Sequence, residues 1–140
     1  MVDEAGEGCQ SLASFRGWDM TAFRLKTLIP KEADIQRDLL RMLEMDHRVA
    51  FVARFNSGAR IDKVGRPIRF NTLAGCPDIM GMLKNGKHIA IEVKRPGWRG
   101  PSDDRERAQE EHLRLVNLYG GIGMFAWEVE QVVERLRRQA

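Results

Sequence analysis

The amino-acid sequence predicts one mixed α/β domain, in which a mixed central sheet is flanked by helices. Three observations predict it: apolar residues at helical spacing early in the chain, two short apolar segments joined by an Asn-Gly turn, and a late strand followed by an amphipathic helix. The 140 residues suit a single core. The predicted order of elements is helix, three or four strands, helix, strand, helix.

The first helix is expected to follow Pro30 and to run to about Met45, because proline is tolerated in the first turn of a helix. Glu32 lies in that turn, where a carboxylate interacts favourably with the helix dipole. The buried stripe is formed by apolar residues at helical spacing, namely Ile35, Leu39, Met42 and Leu43.

Turn sequences divide the middle of the chain into short strands. A turn at Lys63–Pro67 lies between short extended pieces, and the connection Lys84–Lys87, which contains Asn85-Gly86, is typical of a hairpin. The segments predicted to be extended are Val49–Phe55, Ile61–Phe70, Ile79–Leu83 and Ile89–Val93.

The last third of the chain is predicted to hold a loop, a helix, a strand and a closing helix. The loop is Pro96–Pro101, and Ser102 is the expected N-cap of a helix that ends near Tyr119, before Gly120. Residues 123–127 are the expected strand. The closing amphipathic helix is marked by Val129, Val132, Val133 and Leu136.

The domain proper is predicted to span residues 29–140, and residues 1–28 are predicted to be an arm that packs on its own domain or on a partner subunit. Glycines suggest irregular backbone in the arm, but its apolar residues do not suit a free tail. These apolar residues are Phe15, Trp18, Phe23, Leu25 and Leu28.

Composition and the first residues argue against several classes of protein. No apolar run approaches the ~20 residues of a membrane helix, and the first residues lack the basic and apolar regions of a signal peptide. A cytoplasmic location is therefore expected. Cys9 and Cys76 lie far apart and the three histidines are scattered, so neither a disulfide nor a structural zinc site is expected.

Positive charge is modest but clustered. The net charge is +3, which permits nucleic-acid binding without requiring it. One group of cations lies between Arg54 and Arg69, and another comprises Lys94, Arg95 and Arg99. A solvated face would account for either group alone.

The segment around Glu92 carries the clearest sign of chemistry. Side chains alternate along a strand, so Glu92 and Lys94 share one face while Ile89, Ile91 and Val93 share the other. An exposed sheet face would also explain this charged pair.

Asp78, which follows Pro77, would start the neighbouring strand, although a turn residue is the simpler interpretation. Hairpin geometry would bring the carboxylates of Asp78 and Glu92 to the same end of adjacent strands. Their hard oxygen atoms could share a magnesium ion there.

These motifs resemble the PD-(D/E)xK nuclease superfamily, and the fuller pattern resembles the stand-alone form of its virus-type replication–repair (VRR-NUC) branch. The resemblance covers about residues 30–138. It implies a restriction-endonuclease-like core with the order αβββαβα. The residues that carry it are Glu32, Gln36, Arg54 to Gly58, Gly75 to Asp78, Glu92 to Gly97, Gln109 and Gly120-Gly121.

The resemblance also implies roles. Asp78 and Glu92 would bind Mg²⁺ or Mn²⁺ together with the backbone carbonyl of Val93, and Glu32 would complete or orient that set. Lys94 would position or activate the attacking water, and a glutamine would hold Lys94 or the water in place. This residue is Gln109, on the helix after the strand.

The function implied is hydrolysis of DNA phosphodiester bonds, with Holliday junctions or other branched DNA of repair and recombination as the expected substrates. Stand-alone members of the branch occur in phages and bacteria, and a homodimer would match a two-fold junction. Flap or restriction-like cleavage, a silent DNA-binding module and an interaction protein remain alternatives. The residues expected to contact DNA are Arg54, Asn56, Ser57, Arg95 and Arg99, and Trp98 would either wedge against DNA or pack.

Overall fold

The computed structural model describes residues 29–55, 59–69 and 72–139, and the predicted arm at residues 1–28 lies outside them. These described residues form three helices: α1 (Glu32–Met45), α2 (Asp104–Leu118) and α3 (Val129–Gln139). The strands are β1 (Val49–Arg54), β2 (Ala59–Ile61), β3 (Pro67–Arg69), β4 (Ile79–Leu83), β5 (His88–Val93) and β6 (Ile122–Ala126). None of these helices is long and apolar enough to cross a lipid bilayer.

In the described part of the chain, the central sheet has four strands in the order β1-β4-β5-β6. The β1–β4 and β4–β5 pairs are antiparallel, and β5–β6 is parallel. Among the residues that the structure describes, the short strands β2 and β3 pair only with each other, around the predicted turn. The predicted mixed α/β class is therefore confirmed, with β2 and β3 as an insertion in the expected order of elements.

Helices cover both faces of β5. Ile89, Ile91 and Val93 lie in the larger core cluster, to which α1 and α3 also contribute. Ala90, on the opposite face, packs with Leu113 and Val116 of α2. This second layer determines the environment of the polar residues at the end of β5.

The prediction of Ser102 as the N-cap of α2 is wrong by one residue. Asp103 is the cap, and its side chain accepts a hydrogen bond of 2.8 Å from the backbone N–H of Glu106. The Ser102 hydroxyl is engaged elsewhere, because it donates to the Glu106 carboxylate at 2.9 Å. The helix therefore begins at Asp104.

Gly75 is the glycine that matters most to the site, because the turn before Asp78 packs closely against the first half of α2 at this residue. Its φ is 69°, a left-handed conformation that most residues adopt only with strain. A Cβ atom at this position would overlap the carbonyl group of Ala108 and crowd the backbone nitrogen of Gln109. The turn and the helix can approach this closely only at a glycine.

We predict that Gly75→Ala lowers the free energy of unfolding by about 3 kcal/mol or more, because strain and overlap add. Gly86→Ala is the matched control. Its φ of 87° is also left-handed, but open space surrounds the position of the new Cβ, so only about 1 kcal/mol should be lost. Urea denaturation of both variants measures the difference, and equal losses would contradict a tight contact at Gly75.

Candidate functional site

Two reciprocal hydrogen bonds join the start of β4 to the end of β5. The side chain of Asp78 accepts the backbone N–H of Val93 at 3.0 Å, and the side chain of Glu92 accepts the backbone N–H of Asp78 at 3.2 Å. Ile79 pairs with Ile91 in the antiparallel ladder, which sets this register. The predicted juxtaposition of the two carboxylates at one end of adjacent strands is thus found.

Gln109 links the carboxylate of Glu92 to the ammonium group of Lys94. Its Nε2 donates to Oε1 of Glu92 at 2.6 Å, and its Oε1 accepts from Nζ of Lys94 at 3.0 Å. The Lys94 ammonium also lies 3.4 Å from Oε1 of Glu92. One amide side chain therefore satisfies an acidic and a basic neighbour at the same time.

The charged pair on β5 does not lie on an exposed face. Glu92 is 4% exposed, Lys94 8% and Gln109 2%, because α2 crosses this face of the sheet. The interpretation of Glu92 and Lys94 as ordinary surface residues is therefore wrong. Buried charges are costly unless they are paired and hydrogen-bonded, and here they are both.

Glu106 is a second acidic partner of Lys94, and it was missed in the sequence. Its Oε1 lies 3.3 Å from Nζ of Lys94 and accepts the indole N–H of Trp98 at 3.1 Å. Its Oε2 accepts both the backbone N–H and the hydroxyl of Ser102. These hydrogen bonds, those from Ser102 first, lower the pKa of Glu106 to about 2.

Aromatic rings complete the surroundings of the Lys94 ammonium. The ring centroids of Trp98 and Phe125 lie 5.7 and 5.8 Å from Nζ, within the range of a cation–π contact. The two rings pack on each other at a centroid distance of 4.4 Å. The packing interpretation of Trp98 is therefore confirmed.

Both carboxyl groups at the strand ends have raised pKa values. Burial raises the pKa of Asp78. The hydrogen bond from the N–H of Val93 and the charge of Lys94 oppose that rise, and the nearby charge of Glu32 adds to it. Burial, followed by the charge of Asp78, raises the pKa of Glu92 to about 7. Two carboxylates in a partly dry site repel one another, and a cation between them would relieve both effects.

Glu32 and Val93, the other expected metal ligands, make different contacts in the structure. Glu32 is exposed, and its carboxylate accepts the backbone N–H of Arg95 at 3.1 Å. The contact seen for Val93 is made by its N–H, to Asp78. Within the described ranges, no three His, Cys, Asp or Glu residues form a group that could hold a metal ion. Mg²⁺ nevertheless commonly binds through only one or two carboxylates and keeps several waters, so the pair of Asp78 and Glu92 fits such an ion.

The arginines expected to contact DNA are exposed. Arg54 ends β1 and pairs with Ile79 in the ladder, next to Asp78. Arg95 and Arg99 lie in the loop after β5. Asn56 and Ser57, which were expected to contact DNA as well, lie outside the described residues.

Comparisons of the chain with protein-family models, with curated proteins and with solved structures give no match. The function must therefore be inferred from the geometry of the described residues and from the sequence motifs that they carry.

We predict that Glu92→Gln removes a pH-dependent loss of stability. A carboxyl group whose folded pKa is raised binds protons more tightly in the folded state. The stabilisation that protonated Glu92 gives the fold is therefore fully present below the unfolded pKa near 4.5. It is lost as the pH rises through the folded pKa of about 7. The full loss amounts to about 3 kcal/mol at most.

The measurement is urea denaturation of wild type and Glu92→Gln at pH 4.5 and pH 8, in the presence of a chelator. The variant should gain stability relative to wild type at the higher pH. Glu110→Gln, at an exposed position on α2, controls for the removal of one carboxylate. A difference between wild type and Glu92→Gln that does not change with pH would contradict the raised pKa.

Proposed function

We propose that the chain is a Mg²⁺- or Mn²⁺-dependent deoxyribonuclease of the PD-(D/E)xK type, related to the VRR-NUC branch and acting in the cytoplasm. One observation carries the proposal. The buried pair of Glu92 and Lys94 lies beside Asp78 and is bridged by Gln109. These are the four residue types that the resemblance assigns to the reaction.

The energetics of the site also favour a functional explanation. A buried ion pair contributes little net stability compared with apolar packing, and two carboxyl groups with raised pKa values destabilise the fold near neutral pH. Strongly perturbed pKa values cluster at functional sites. A DNA-binding module without activity would gain nothing from carboxylates near phosphate groups.

Asp78 and Glu92 are the residues that would hold the divalent cation, and the resemblance adds the carbonyl of Val93 and the carboxylate of Glu32. When bound, such an ion lowers the pKa of a coordinated water and stabilises charge on a phosphate. Hard carboxylate oxygens are the donors that Mg²⁺ and Mn²⁺ prefer.

Lys94 would place a positive charge beside the scissile phosphate as negative charge develops there. Gln109 would fix the direction of that ammonium group, because it holds Nζ at 3.0 Å. A donor that is already oriented needs no reorganisation during the reaction, and such preorganised charge is a large part of catalysis.

Exposed arginines suit contact with the DNA backbone. Arg54 ends β1, the neighbour of β4, and Arg95 and Arg99 follow β5. Arginine and short polar side chains commonly bind phosphate without reading sequence. Recognition of shape, in a Holliday junction or another branch, fits such a small domain, and a homodimer would present two sites to it.

The first test is nicking of a supercoiled plasmid with Mg²⁺ or Mn²⁺. We predict that wild type cleaves, that a chelator stops cleavage, and that Asp78→Asn and Lys94→Ala each reduce the rate at least 100-fold. Asp78→Asn removes a carboxylate that would hold the metal ion, and Lys94→Ala removes the positive charge beside the developing negative charge. Glu110→Gln should cleave like wild type. DNA binding without cleavage by wild type would instead favour the silent DNA-binding module.

The second test compares labelled four-way junctions, flaps, splayed arms and linear duplexes of equal sequence. We predict that junctions are cleaved at least tenfold faster than linear duplexes, and that the active species has the mass of a dimer in solution. Faster cleavage of flaps, or a preference for particular sequences in linear DNA, would favour the flap or restriction-like alternative.

A further inference from the structure

The ammonium group of Lys94 has three hydrogen-bond donors, and three side-chain acceptors lie around it. They are Oε1 of Gln109 at 3.0 Å, Oε1 of Glu106 at 3.3 Å and Oε1 of Glu92 at 3.4 Å. With the rings of Trp98 and Phe125 beside it, this lysine is held in one place. The resemblance accounts for Glu92 and Gln109 but gives no role to Glu106.

Glu106 differs from the other acidic partner in what else it contacts. Glu92 also accepts hydrogen bonds from Asp78 and Gln109, and it belongs to the pair that would hold a metal ion. Among the described residues, the other hydrogen bonds of the Glu106 side chain come from Trp98 and Ser102, in the loop that precedes α2. Glu106 can therefore balance the charge of Lys94 without competing for the metal ion.

We propose that Glu106 is a positioning residue, which holds the ammonium group of Lys94 at the end of β5 and keeps it from pairing more closely with Glu92. This inference rests on the proposed nuclease function. Without Glu106, the acidic partner left to Lys94 within the described site is Glu92. The lysine would then move toward a carboxylate that is needed for the metal ion.

The side chain of Glu106 can be altered without removing the start of α2. The N-cap is Asp103, which uses the backbone N–H of Glu106 and not its side chain. Glu106→Gln keeps the size and one acceptor but loses the charge. Ser102→Ala removes a hydroxyl contact to Glu106 and leaves the contact with Lys94, so it separates anchoring of the loop from positioning of the lysine.

The kinetic test measures cleavage by Glu106→Gln, with Ser102→Ala and Glu110→Gln as controls. We expect kcat to fall about 10- to 100-fold in Glu106→Gln, as is typical when a residue that orients a catalytic group is lost, while KM for DNA stays within about twofold. The controls should stay within about twofold of wild type. Unchanged kcat in Glu106→Gln, or an equal fall in Ser102→Ala, would overturn the proposal.

A double-variant cycle tests whether Glu106 acts through Lys94. Adding Glu106→Gln to Lys94→Ala should reduce the residual rate no further, because the group to be positioned is already absent. A further fall as large as that in the wild-type background would overturn the proposal.

A third measurement needs no activity, and it separates failure of this proposal from failure of the nuclease function. The ¹⁵N NMR signal of the Lys94 ammonium, assigned by its loss in Lys94→Ala, should be present in wild type and Ser102→Ala. The signal should be shifted or broadened in Glu106→Gln. In Glu106→Asp, which keeps the charge, the change in the signal should be smaller than in Glu106→Gln. An unchanged signal in Glu106→Gln would overturn the positioning role, whether or not wild type cleaves DNA.

Discussion

The side-chain amide of Gln109 joins a buried carboxylate to a buried ammonium group, and the polar end of β5 depends on this contact. An amide presents a donor and an acceptor on one rigid plane, so it can satisfy Glu92 and Lys94 together. An apolar residue at position 109 would remove one hydrogen bond from each of these two buried charged groups, which costs about 2 kcal/mol or more. The helix α2 can cover this face of the sheet because Gln109 supplies hydrogen bonds to the two charged groups that the helix buries.

The position of that amide depends in turn on the approach of Gly75 to α2. The turn at Gly75 touches the backbone of Ala108 and Gln109, and three residues later the chain reaches Asp78. The same short contact therefore sets the separation between the helix that carries the amide and the strand that carries the first carboxylate. The geometry of the site is fixed by packed backbone, and flexible side chains have little freedom to alter it.

Local patterns in the sequence were sufficient to predict the parts of the structure that depend on alternation and turn chemistry. The two faces of β5, the pairing of β4 with β5 and the closeness of Asp78 to Glu92 follow from such patterns. Glu106 could not be found this way, because a glutamate in the first turn of a helix is already explained by the helix dipole. Its contact with Lys94 exists only because α2 lies across the sheet at one particular place. Ser102 and Asp103 are both good caps, and in the structure Asp103 caps the helix while Ser102 donates to the side chain of Glu106 four residues later.

Charge is divided between two environments at this end of the molecule. Glu92 and Lys94 are buried and held by several hydrogen bonds, whereas Arg54, Arg95 and Arg99 are exposed. Exposed arginines are screened by salt and have conformational freedom, so they suit contact with a variable phosphate backbone. Buried groups interact more strongly with charge that develops beside them, because water does not screen them. In the proposed nuclease, residues that would bind a polyanion and residues that would act on one phosphate have opposite requirements for burial, and the exposed arginines and the buried pair would meet both requirements along the end of a single sheet.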